Sequence, residues 1–346
     1  MADLTAVSLF AGIGGFDLAL ERSGVRVVAS VEIDNHAQGV LRRHFPNSQI
    51  FGDITGVSGE QLISAGFTPE HGVIVGGFPC QDLSVAGKRA GLAGARSGLF
   101  WEICRLLDET KAKYFILENV PGLLTSNGGR DMGVVIGALA DRGYSIAWRV
   151  LDAQFFGVPQ RRRRVFLVGC AGDDWRSPTE ILNLLEGSTG DTTKGRQARK
   201  STARASAESS GESSDVVVFY GNRVDDIRVQ DDKINTLQAR MGTGGNNMPM
   251  VMQDREGKPG GGKGPLVSDK SFSLRTSNFQ TLFTSTVRKL TPTECERLQG
   301  FPDGWTNGQA NGHRYKQLGN AVAVPVVEWM IRRLIDSATS MESSTE

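Results

Sequence analysis

Cys80 follows Pro79 in GGFPCQDLS, Glu118 and Asn119 close the apolar run KYFILEN, and QRRRR places Arg162 and Arg164 at alternate positions. A glycine turn, FAGIGG, occupies 10–15. Each feature alone has a bland explanation. A free cysteine is usually a small buried side chain, an arginine run is usually a solvated face, and a glycine turn is usually a tight βα connection. Together they describe a chemistry. A thiol with an ordinary pKa of about 8.5 is a few per cent thiolate at pH 7, yet already a strong nucleophile. A carboxyl partly desolvated at the end of an apolar run is biased towards its neutral, proton-donating form. A buried ion pair with Arg162 or Arg164 is the competing reading of Glu118. A thiolate, a protonatable carboxyl and a methyl donor suit addition to an electron-poor ring. The thiolate attacks, the acid protonates a ring nitrogen, and the adjacent carbon becomes nucleophilic enough to take a methyl group.

Such groups need a scaffold. The first 120 residues alternate apolar runs with helical segments. Strands are expected at 5–10, 25–32, 49–51, 72–77 and 113–119, with helices at 16–24, 35–44 and 98–110. Alternation of this kind gives right-handed βαβ units and a parallel sheet covered by helices. Ligands then bind outside the carboxyl ends of the strands. Those ends carry FAGIGG, Glu32, Asp53, Cys80 and Glu118-Asn119, so all would share one rim. The glycine turn does not complete G-x-G-x-x-G, because Asp17 holds the third position. Glu32 suits a ribose diol and Asp53 an adenine amino group. These residues indicate an adenosine-containing ligand but do not separate NAD from S-adenosylmethionine.

Beyond residue 130 the pattern changes. A helix near 131–142 precedes YSIAWRVLD (144–152), and RRVFLVGC (163–170) returns as an antiparallel partner. If extended, the arginine run points alternate members inward and outward. Residues 187–214 are Ser, Thr, Gly and charge, the composition of a flexible insertion. VVVFY (216–220) resumes order. Thr291 and Pro292 open a helix as cap and first helical residue. A last helix at 324–335 leads into a polar tail, 337–346, expected to be disordered.

Composition narrows the remaining classes. The chain has 346 residues, a formal net charge of +1 and four cysteines without CxxC spacing. Neither a zinc site nor a disulfide framework is expected, and a reducing compartment is. Cys104, Cys170 and Cys295 read as core residues, and the four histidines form no cluster, so no metal is inferred. The opening lacks a signal-peptide pattern and no apolar run is long enough to span a membrane.

Six stretches in order resemble the cytosine-5 DNA methyltransferases of bacteria and phages: SLFAGIGGFDLAL, GGFPCQDLS, LENV, QRRRR, RKLTPTECERLQGFPDGW and QLGNAVAVPV. The resemblance covers nearly the whole chain except 171–285. It implies a doubly wound, mostly parallel α/β sheet of the Rossmann-like, S-adenosylmethionine-dependent type, with a smaller target-recognition domain. Residues 1–175, completed by 314–336, would form the catalytic and cofactor-binding domain, and 176–313 would read the target. Cys80 would attack carbon 6 of a flipped-out cytosine in duplex DNA, Glu118 would contact ring nitrogen 3, and Asn119 would shape the pocket. Arg162 and Arg164 would orient the base and Cys80. Phe10, Gly12, Ile13, Gly15, Glu32, Ile33, Asp53, Ile54, Pro79, Leu99, Asn320 and Val322 would surround the cofactor, so the last helix should pack back onto the first lobe. Gln81 to Ser97 would be a mobile loop closing over the base, meeting DNA through Gln81, Ser84, Lys88, Arg89 and Arg96. In the middle region Thr236 and Leu237 resemble a pair often found in such domains. The resemblance further implies S-adenosylhomocysteine as product, a cytoplasmic monomer associated with the nucleoid through DNA, no obligate protein partner, and a cognate restriction endonuclease as a possible companion. An RNA cytosine methyltransferase on the same scaffold is the alternative; the long variable middle region favours duplex DNA.

Overall fold

The computed structural model describes residues 3–79, 98–174, 176–183, 216–223, 226–230, 234–235, 249–254 and 285–344. Cys80, Gln81, Ser84, Lys88, Arg89, Arg96, Thr236, Leu237 and the 187–214 segment lie outside the described residues. Five strands run parallel: β1 (Thr5–Leu9), β2 (Arg26–Val31), β3 (Gln49–Phe51), β4 (Gly72–Gly77) and β5 (Tyr114–Asn119). Three further segments follow: β6 (Tyr144–Asp152), β7 (Gln160–Arg161) and β8 (Arg163–Ala171). Among the described residues the main sheet has seven strands in the order β3-β2-β1-β4-β5-β8-β6. β8 lies antiparallel between β5 and β6, the return expected from the paired apolar runs.

Every residue of β1 and β5 is buried. That is why these strands read as near-continuous apolar runs instead of alternating ones: a parallel sheet is covered on both faces. The helices of this part are α1 (Gly15–Arg22), α2 (Asn35–His44), α3 (Gly59–Ser64), α4 (Leu99–Thr110), α5 (Arg130–Ala140) and α6 (Arg176–Ile181). Phe100, Ile103 and Leu107 of α4 pack with Leu9, Ile74 and Phe115 of the sheet and with Val135 and Leu139 of α5. The strand order reverses between β1 and β4, so the crevice of a doubly wound sheet opens at their carboxyl ends.

The chain divides into two compact units. The first holds Met1–Asp152, Arg163–Gly190 and Ala321–Glu346; the second holds Ala153–Arg162 and Asp191–Asn320. These bounds differ from those read in the sequence, for 153–162 and 314–320 fall in the second unit and 176–190 in the first. The physical reason is pairing: β7 joins β11 (Ile234–Asn235) in parallel, and Gln160 Nε2 donates to the Leu298 carbonyl at 3.0 Å. The second unit also contains a four-stranded sheet of β10 (Asp226–Gln230), β9 (Val216–Arg223), β12 (Pro249–Asp254) and β13 (Ser285–Lys289), in that order. Its helix α7 (Pro292–Gln299) starts as expected: Thr291 caps it, Pro292 is its first residue, and Glu294 closes a capping box. A helix the sequence did not announce, α8 (Asn311–Asn320), follows it.

The last helix, α9, runs Val324–Ser344 and packs along α1, where Arg22 approaches Glu328 at 4.0 Å. It corrects the expectation of a disordered tail from 337. Ser337 and Ala338 are buried, and Ser337 Oγ meets Ser177 Oγ of α6 at 2.9 Å, so docking extends the helix through a polar sequence.

Candidate active site

Register brings the strand ends of the first unit to one rim. Leu9 pairs with Val31 and Gly76, Val31 with Phe51, and Gly77 with Glu118. The residues following β1, β2, β3 and β4 therefore lie side by side with Glu118 and Asn119. Antiparallel β8 begins at the same rim, because Asn119 pairs with Val165.

The β1 end makes a turn with three positive φ angles, Phe10 at 54°, Gly12 at 58° and Gly14 at 82°. Gly14 is held doubly, since a Cβ there would stand 2.3 Å from the Phe45 ring. Glu32 is pinned at the end of β2. Its Oε2 accepts from the Gly12 N–H at 2.7 Å and its Oε1 from the Asp34 N–H at 2.8 Å. Gln38 Nε2 donates to the Glu32 carbonyl at 2.6 Å, and Asp34 caps α2. Ile33 beside it is 72% exposed. Asp53 is exposed; its Oδ1 accepts from the Thr55 N–H at 3.0 Å, a bond that lowers its pKa. A fixed carboxylate, open space where a Gly12 Cβ would be, and an exposed apolar side chain fit an adenosine-bearing cofactor. Phe10 and Leu99 are half-buried, Gly15, Ile13 and Ile54 are buried, and Pro79 is exposed.

Glu118 and Asn119 end β5. Asn119 Nδ2 donates to the Phe78 carbonyl at 2.8 Å, and its Oδ1 accepts from the Val120 N–H at 2.8 Å. The side chain thus ties β5 to the two residues that lead into Cys80. Arg164 Nε stands 2.8 Å from Glu118 Oε1. That oxygen is nevertheless buried without a hydrogen bond, so the N–H is not aimed at it and the contact is a charge pair only. A Cβ at Gly77 would lie 3.0 Å from Glu118 Oε2, and one at Gly76 would lie 2.6 Å from the Leu9 carbonyl. The glycines of GGFPC are therefore spacers: one lets β4 approach β1, the other leaves room for the carboxyl.

The arginine run alternates as extended chain requires. Arg161 and Arg163 are exposed, Arg162 is buried and Arg164 half-buried. Arg162 belongs to the second unit, where its Nη1 donates to the Gly319 carbonyl at 3.3 Å. Exposed Asn320 is also in the second unit, whereas buried Val322 is in the first.

The chain matches the family of C-5 cytosine-specific DNA methylases over residues 4–336. It belongs to that family. Type II methyltransferase M.NlaX of Neisseria lactamica is 32% identical, the match covering 93% of each chain. Type II methyltransferase M.Bsp6I of Bacillus sp. (strain RFL6) is 31% identical, covering 96% of this chain and 99% of that relative. Among solved structures, the Entamoeba histolytica methyltransferase EhMeth superposes with a TM-score of 0.64 at 15% identity, over 98% of this chain and 99% of that one. A DNA modification methyltransferase encoded within a prophage of E. coli superposes with a TM-score of 0.59 at 20% identity, over 97% of this chain and 99% of that one. As a C-5 cytosine DNA methylase, the chain methylates carbon 5 of cytosine in DNA. Among the described residues no helix is long and apolar enough to cross a membrane.

The cysteines of this DNA methylase other than Cys80 are poor nucleophiles. Burial pushes the Cys104 thiol up to about 12 and the Cys170 thiol up to about 11, and it raises Cys295 as well. Two positioning features escaped the sequence reading. Gly77 was legible only as half of a Gly-Gly pair, and Asp17 only as a failed third glycine. Asp17 is fully buried and accepts from Ser8 and Ser30.

Proposed function

We propose that this DNA methylase flips its target cytosine out of a specific duplex sequence and attacks it covalently through Cys80. The observation that carries the reading is the pinned end of β5: Asn119 holds the Phe78 carbonyl two residues before Cys80, while Glu118 fills the space that Gly77 leaves. The Cys80 thiolate forms an Sγ–C6 bond to the ring. Glu118 meets ring nitrogen 3 and stabilises the electron density pushed towards the nitrogen and carbon 5. Arg164 holds the Glu118 carboxyl by charge from the side, and Arg162 orients the base. When bound, S-adenosylmethionine supplies a methyl carbon made electrophilic by its sulfonium. Glu32 would receive its ribose hydroxyls and Asp53 its adenine amino group, and Phe10, Gly12, Ile13, Gly15, Ile33, Ile54, Pro79, Leu99, Asn320 and Val322 would line the remainder. With the donor bound, carbon 5 would take the methyl group as the donor's carbon–sulfur bond broke to leave S-adenosylhomocysteine; the carbon 5 hydrogen would then leave as a proton to water, and the Sγ–C6 bond would break to return the thiolate. Flipping costs a few kcal/mol; Gln81, Ser84, Lys88, Arg89 and Arg96 offset it through DNA contacts in the segment after Cys80. Thr236 and Leu237 belong to the part that reads the sequence. The protein acts as a monomer in the cytoplasm and needs no obligate protein partner.

The test uses duplex DNA bearing 5-fluorocytosine at the target, with S-adenosylmethionine. Fluorine cannot leave carbon 5 as a cation, so release is blocked. An adduct that survives denaturation is expected, with peptide mapping placing it on Cys80. Cys80→Ser abolishes it, since a hydroxyl is far less ionised near neutrality. Cys104→Ser, Cys170→Ser and Cys295→Ser retain it. An active enzyme giving no adduct, or one on another cysteine, overturns the mechanism.

A further inference from the structure

We propose that Asp17 is a positioning residue that sets the Glu32 carboxylate for the cofactor. This rests on the assignment of Glu32 above and goes beyond it, because Asp17 is assigned no contact with the cofactor. Asp17 lies in the first turn of α1, fully buried. Its Oδ2 accepts from Ser8 Oγ of β1 at 2.8 Å, and its Oδ1 from Ser30 Oγ of β2 at 2.6 Å. Ser30 Oγ in turn meets Ser48 Oγ at 3.0 Å. Ser8 and Ser30 are register partners and are both fully buried. One carboxyl therefore bridges neighbouring strands two residues before Phe10 on one and Glu32 on the other.

The place of this bridge matters. The β1–β2 pairing slips between Ala6 and Val7, passing from Ala6↔Val27 to Val7↔Ala29. The bridge sits directly after the slip, where register needs a directional tie. Apolar packing alone supplies none. Beyond the bridge, Ala11 N–H reaches the Val31 carbonyl at 3.0 Å and Gly12 N–H reaches Glu32 Oε2 at 2.7 Å. Asp17 also fixes the start of α1, and with it the positive-φ turn through Gly14. Burial raises the Asp17 carboxyl above its ordinary range, and the Ser30 and Ser8 hydroxyls act against that shift. The bridge answers why the third glycine of a dinucleotide turn is absent: the position carries a tether.

The test is equilibrium binding of S-adenosylhomocysteine by calorimetry, without DNA and without turnover. Glu32→Gln is expected to weaken binding about tenfold, the size of one hydrogen bond to a charged group. Asp17→Asn is expected to weaken it by a similar factor, and the double variant no further than Glu32→Gln alone, because both act on one contact. Ser8→Ala and Ser30→Ala each remove one hydroxyl and are expected to shift binding the same way by less; they decide the matter if Asp17→Asn does not fold. Ile103→Val in α4 is the control for simple destabilisation and is expected to leave binding unchanged. Wild-type binding by Asp17→Asn, or losses that multiply in the double variant, overturns the role of Asp17. Wild-type binding by Glu32→Gln instead overturns the assignment of Glu32 and the inference with it.

Discussion

Glu118 is held by two neighbours of opposite kind. Arg164 draws its carboxyl by charge, and Gly77 leaves the space that the other oxygen occupies. A group positioned this way contributes through placement as much as through acidity. Glu118→Gln keeps the size and removes the carboxyl, so methylation is expected to fall about a hundred- to ten-thousand-fold, with S-adenosylhomocysteine affinity unchanged. Single-turnover methylation and calorimetry separate the two; lost affinity with retained turnover would mean that Glu32 and Glu118 exchange roles. Gly77→Ala tests placement alone. Gly77 does not have a positive φ, so alanine is tolerated by the backbone, but the new methyl would meet Glu118 Oε2 at 3.0 Å. The carboxyl must shift, and turnover is expected to fall about tenfold or more while circular dichroism stays that of the parent. Full activity in Gly77→Ala would show that the spacing is not used.

At the scale of elements, legibility followed physical cause. β1, β4 and β5 were readable because buried parallel strands are continuous apolar runs, and α7 because Thr291, Pro292 and Glu294 are local signals. α8 was not, since Gln317, Leu318 and Gly319 are its buried residues and make no apolar stripe. The end of α9 was not, since SATSMESS is polar and is held by tertiary contacts at Ser337 and Ala338. In the site, the rim was legible from strand ends. The Glu118–Arg164 pair was one of two options, because the register of β5 on β8 is not written in either run. A buried network after α7 was equally hidden. Glu296 Oε2 accepts from the Gly304 N–H at 2.7 Å, and its Oε1 from the Thr306 N–H at 2.8 Å and from Arg314 Nη2 at 3.0 Å. Glu296→Ala leaves Arg314 without this carboxylate and is expected to cost about 3–5 kcal/mol. Thermal melting should fall accordingly. An unchanged melting temperature would show that the network is dispensable.

At the scale of the whole molecule, the rim of the main sheet and the second unit are built from different lengths of chain. Glu32, Asp53, Glu118, Asn119 and Arg164 all belong to the first unit, whose strands set them by register. The second unit is built on its own antiparallel sheet, with β7 and β11 joined by backbone bonds that any side chains can satisfy. If the second unit reads the target, as proposed, such an arrangement lets it vary while the strands of the first unit keep their register. Replacing residues 191–289 by the corresponding segment of M.Bsp6I, 31% identical overall, is therefore expected to move methylation to that relative's target. Bisulfite sequencing of DNA from a methylation-free host reads the outcome. The donor segment must bring a strand to meet Gln160 and Arg161, because the β7 pairing otherwise loses its partner. A second chimera that also carries 153–162 and 290–320 from the donor keeps that pairing native and separates a folding failure from a wrong assignment. If both chimeras methylate and both keep the parental pattern, the choice of sequence resides in the first unit, and the division of labour proposed for the two units is wrong.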